Sequence, residues 1–65
     1  MKITVKQARV GKGMTQEEMA KALGVSIPTY RVYEKKPWRM SYETLVKLAE
    51  IAGVELSDLD MEVRS

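Results

Sequence analysis

The sequence predicts an all-α fold of five short helices in a single domain, residues 1–65, and three observations carry that prediction. Apolar residues recur at helical spacing in each half of the chain, as in Met19-Ala20-Leu23 and Leu45-Leu48-Ala49-Ala52. A threonine or serine stands before each such stretch, at Thr4, Thr15, Ser26, Ser41 and Ser57. Glycine stands where stretches end, at Gly13, Gly24 and Gly53. Cysteine and histidine are both absent, so disulfide bonds, thiolate metal sites and the commonest neutral-pH base are excluded, and with few aromatics the core rests on Leu, Val, Ile, Ala and Met.

In chain order, Thr4 with Gln7 forms a capping box for a first helix over Val5–Lys12, with Val5 and Ala8 facing inward. Met14 precedes a second box, Thr15 with Glu18, and staples the incoming chain against helix 2. Gly24 turns the chain, Val25 plugs the corner, and Ser26 caps a third helix that reaches Lys36 with Tyr30 and Tyr33 on its buried side. Two helices this short, joined this tightly, cross steeply. That is a helix-turn-helix, a unit that offers its second helix to the DNA major groove. Lys35 to Ser41 reads as a loop, in which Trp38 packs over the edge of the core rather than stacking on a nucleic-acid strand. Ser41 caps a fourth helix, Tyr42–Ala52. Ser57 caps a short fifth over Asp58, Leu59 and Asp60.

Charge is divided along the chain. Residues 1–39 hold nine Lys/Arg against three Glu, whereas residues 40–65 hold two against six Asp/Glu. A basic portion beside an acidic one suits a polyanion on one side and solvent or a partner on the other. Solvated faces alone would also give such a pattern, and the helix-turn-helix decides between the two readings.

The stretch QEEMAKALGVSIPTYRVYE resembles the helix-turn-helix of the Cro/CI-like (XRE-type) phage and bacterial repressors. The likeness lies in Gln16 at its start, Ala20 at the crossing, Gly24 at the turn, Val25 behind it and Glu34 at its close. It extends from about Val5 through ETLVKLAEIAGVELSDL to Leu59 and implies a compact, lambda-repressor-like domain with the recognition helix at about 27–36. It further implies a structural ion pair between Arg9 and Glu34, the alternative for Arg9 being a phosphate contact. Gln16 takes a phosphate-contacting role by the same resemblance.

Two departures stand out. The family commonly places polar amides or arginine where this chain has Ile27 and Pro28. It often has Asn-Gly at Lys35-Lys36 and a proline at Met40, whereas here the proline is Pro37. The base-reading set is therefore Ile27, Pro28, Arg31 and Val32. Of these only Arg31 can grip guanine O6 and N7 in bidentate fashion, while the others pack on thymine methyls. Phosphate contacts fall to Gln16, Ser26, Thr29, Lys35, Lys36 and Arg39.

The expected function is sequence-specific binding of a double-stranded DNA operator by a Cro-like transcriptional repressor in the cytoplasm, acting as a homodimer. Val54, Leu56, Leu59, Met61 and Val63 are the candidates for the dimer surface. No enzymatic activity, cofactor, metal, membrane partner or small-molecule effector is expected. The alternative keeps the fold as a protein-interaction module, an antitoxin or anti-repressor, docking through Ile27 and Val32.

Overall fold

A computed structural model describes residues 2–61. Four α-helices follow one another: α1 (Val5–Gly11), α2 (Gln16–Leu23), α3 (Ile27–Lys35) and α4 (Tyr42–Ala52). Two 3-10 turns, Pro37–Arg39 and Leu56–Asp58, complete the regular structure among the described residues.

The caps explain where the helices start. Thr4 Oγ1 accepts the Gln7 N–H and Gln7 Oε1 accepts the Thr4 N–H, at 3.0 and 2.8 Å. Thr15 and Glu18 repeat this reciprocal arrangement at the head of α2, at 3.0 and 2.8 Å. Each box satisfies donors that the first turn of a helix otherwise leaves without acceptors. Gly24 and Gly53 end α2 and α4 at φ values of 74° and 71°. In that left-handed region a Cβ is disfavoured.

The core lies between the helices and is built on Val5, Met19, Tyr30, Leu48 and Leu59, each 2 % exposed or less. Val25 packs against it from the α2–α3 corner, and Met14 does so from the α1–α2 loop. Tyr33, Leu45 and Ala52 line its margin and are half-buried.

Three expectations are corrected. No α-helix forms over 58–60: the backbone makes its 3-10 turn at Leu56–Asp58 and is then extended at Leu59. The cause is a clamp by the N-terminal segment, since Ile3 N–H donates to Asp58 O at 2.8 Å and Asp60 N–H donates to Ile3 O at 2.7 Å. The same clamp draws Leu59 into the core and removes it from the candidate dimer surface. Val54, Leu56 and Met61 are half-buried against the core, and Val63 lies outside the described residues. Finally, Trp38 does not cover the core's edge. It stands 56 % exposed, while its neighbours Pro37 and Met40 are buried instead.

Candidate nucleic-acid interface

Helix α3 presents two chemically distinct faces. Tyr30 and Glu34, four residues apart and so on one side, are buried. Pro28, Thr29, Arg31, Val32 and Lys35 are exposed, and Lys36 and Arg39 extend the exposed cationic surface beyond the helix end. Ile27 occupies an intermediate place: it packs in part against the core and in part lines an open groove with Gln16 and Arg31. Pro28 sits in the first turn, where the missing N–H has no intrahelical acceptor to lose.

Ser26 starts the helix. Its Oγ accepts the Thr29 N–H at 3.2 Å and donates to Thr29 Oγ1 at 2.9 Å. The hydroxyl proton of Ser26 is therefore used inside the cap, whereas that of Thr29 remains available to an acceptor.

Behind α3 a polar network ties three helices together. Arg9 Nε donates to Glu34 Oε2 at 2.6 Å, and Arg9 Nη1 donates to Met14 O at 2.8 Å. Both side chains are almost wholly enclosed, 11 % and 8 % exposed. Arg9 is thus engaged within the fold through Nε and Nη1. Burial alone would raise the Glu34 carboxyl. The hydrogen bond from Arg9, the nearby Tyr30 hydroxyl and the Gln16 amide outweigh burial and hold it below the ordinary value. The Arg9 guanidinium is raised in turn, first by its hydrogen bond to Glu34.

Tyr30 is fully buried beside this pair, and its hydroxyl has no hydrogen-bond partner of good geometry. Burial first, and the Glu34 carboxylate second, push the phenol far above its ordinary value. It stays neutral at any physiological pH.

The network reaches the exposed face as well. Gln16 Nε2 donates to Glu34 Oε1 at 2.9 Å, and Gln16 Oε1 accepts from Arg31 Nε at 3.2 Å. Both ends of the Gln16 amide are thus engaged within the protein. Nothing in the sequence points to this bridge, because residues 16 and 31 stand in different helices and no spacing rule relates them. The exit from α3 has a similar history. Lys36 adopts φ −132° and ψ 70°, and among the described residues none other than glycine takes a positive φ. The chain therefore replaces a left-handed corner by a residue of negative φ, outside both the helical and the extended regions, followed by a 3-10 turn.

Among the described residues no group of three metal-binding side chains comes together, and no helix is long and apolar enough to cross a membrane.

Comparison with known proteins agrees with this geometry. A family model described as helix-turn-helix matches residues 5–59. A cryptic phage CTXphi transcriptional repressor, RstR of Vibrio cholerae, is 38 % identical over 55 residues, covering 85 % of this chain and 50 % of that protein. The HTH-type transcriptional regulator YqaE of Bacillus subtilis is 36 % identical over 55 residues, 85 % of this chain and 47 % of its own length. An HTH-type regulator of Methanocaldococcus jannaschii is 37 % identical over 59 residues, 91 % of this chain and 89 % of that protein. The chain thus spans about half the length of the first two relatives. No solved structure matches. Capped helices α2 and α3, the left-handed Gly24 between them and this similarity over 55 residues together assign the chain to the Cro/CI-like (XRE-type) helix-turn-helix family of DNA-binding transcriptional regulators.

Proposed function

We propose that this chain recognises a specific double-stranded DNA operator by laying α3 in the major groove, and that it acts as a Cro-like repressor. The observation that carries this reading is the outer face of α3, where Arg31 and Val32 are exposed and flanked by Lys35, Lys36 and Arg39. Phosphates attract such cations without regard to sequence, so the lysines register the protein on the duplex while Arg31 selects a base. Arg31 grips guanine O6 and N7, and Pro28 and Val32 pack on neighbouring thymine methyls, with Ile27 contributing its groove-facing edge. The first turn of α2 turns its N–H groups and positive dipole end toward the same strand. Repression rather than activation follows the name of the phage relative.

One helix of nine residues reads too few base pairs to discriminate among many competing sites. The reading is therefore a two-fold dimer on half-sites about 34 Å apart. Selection of bound sites from random duplex DNA tests this directly. A palindromic motif with a guanine beside thymines is the expected result, with affinity falling steeply between roughly 50 and 200 mM salt. A purified chain indifferent to every duplex at low salt would overturn the reading and transfer the fold to protein interaction, as an antitoxin or anti-repressor.

A further inference from the structure

We infer that Gln16 is a positioning residue for base selection: held by Glu34, it fixes the guanidinium of Arg31 so that its outer edge faces the groove. This rests on the base-reading role proposed for Arg31. The chemistry of the chain of contacts leaves one arrangement. A carboxylate accepts hydrogen bonds only, so the side of the Gln16 amide that meets Glu34 Oε1 at 2.9 Å must be its NH2 group. Its oxygen is then turned away from the core, and a guanidinium, which donates only, meets it at 3.2 Å through Arg31 Nε. Glu34 is itself immobilised by Arg9 on its other oxygen at 2.6 Å. Orientation is thereby passed from a buried ion pair to an exposed arginine in two hydrogen bonds.

The consequence is specific to which nitrogen is taken. A guanidinium can meet guanine side-on, through Nε and one Nη, or end-on, through both Nη groups. With Nε occupied by Gln16, the end-on edge remains. An arginine ordered before the encounter also loses less rotamer freedom on binding. Gln16 is half-buried at the first position of α2, so replacing it leaves both the capping box and the core intact.

Affinity measured for the wild type, Gln16→Ala, Arg31→Ala and the double variant tests the inference, on the selected operator and on the same site with its contacted guanine replaced. Gln16→Ala should cut discrimination for that guanine about three- to tenfold, the range expected for losing one orienting hydrogen bond. Added to Arg31→Ala it should cut discrimination no further. In the free protein, the Arg31 Nε–H nuclear magnetic resonance signal should lose its protection from solvent exchange in Gln16→Ala. An equal loss of affinity in both backgrounds would overturn the inference and make Gln16 a plain phosphate contact. An Nε–H signal unchanged by Gln16→Ala would overturn it too. If Arg31→Ala itself leaves base preference untouched, the base-reading role fails first, and the positioning role falls with it.

Discussion

The recognition helix is entered and left by corners built on different physics. At the entry, Gly24 takes φ 74°, its N–H donates to Lys21 O at 3.1 Å, and Val25 N–H donates to Ala20 O at 3.0 Å. This is a Schellman motif, and its conformation follows from a glycine, an apolar residue and a capping serine in sequence. The exit has no glycine and no side-chain cap. Lys36 takes a negative φ outside the helical and extended regions, Pro37–Arg39 form a 3-10 turn, and burial of Pro37 and Met40 holds it in place. The entry is set by local backbone chemistry and the exit by what the core accepts.

The largest effect should come from the link behind the helix, between the two corners. Glu34, in the last turn of α3, takes Gln16 from the head of α2 and Arg9 from α1. Arg9→Met strands a buried carboxylate, and urea unfolding at neutral pH should show a loss of about 3–5 kcal/mol. The pH dependence carries the same signature. Because the folded Glu34 carboxyl lies below its ordinary value of 4.5, its stabilisation is fully present above that pH. It is lost as pH falls further, toward the folded value. Wild-type protein should therefore lose stability on acidification below 4.5, and Arg9→Met should lack that contribution. A variant as stable as wild type would mean that the pair sets geometry without supporting the fold.

Met40→Ala probes the exit corner next. Truncating a methionine that is 8 % exposed removes apolar area and leaves a cavity, at about 2–4 kcal/mol. Gly24→Val, at the entry, should cost less, about 1–3 kcal/mol, and for another reason. A Cβ at Gly24 meets no atom within 4 Å, so the penalty comes from the left-handed backbone and not from a clash at Cβ. Gly24→Ala should recover part of it, because an unbranched side chain is less strained at positive φ. Equal melting temperatures for Gly24→Val and wild type would show that the entry corner is held by packing after all.

This contrast also explains what was legible in the sequence. Both capping boxes, the glycine stops and the limits of α2 and α4 are written in neighbouring residues, because a cap acts over three positions. The buried partnership of Arg9 with Glu34 was legible only through resemblance, since 25 residues separate the two. The Gln16 bridge to Arg31 was not legible. Nor was the N-terminal clamp, in which Ile3 pairs with Leu59 and converts an anticipated helix into a turn and an extended residue. Each of these is a tertiary choice among groups that local rules leave equivalent.

Trp38 provides the smallest effect and the sharpest test of the exit corner. Apolar content alone places the largest side chain of the KKPWRMS segment against the core, yet Pro37 and Met40 take that place and Trp38 points outward. The 3-10 turn accounts for this. Its i to i+3 repeat puts Pro37 and Met40 on one side, with Met40 N–H donating to Pro37 O at 3.1 Å, and leaves the residue after Pro37 on another. Trp38→Ala should therefore change stability by less than about 0.5 kcal/mol, the range of ordinary surface substitutions. Since Trp38 is the sole tryptophan, its fluorescence reports on this site alone, and emission in the folded protein should lie close to that of a solvent-exposed tryptophan. A blue-shifted emission, or a Trp38→Ala loss as large as that of Met40→Ala, would show that the exit corner closes around the indole instead.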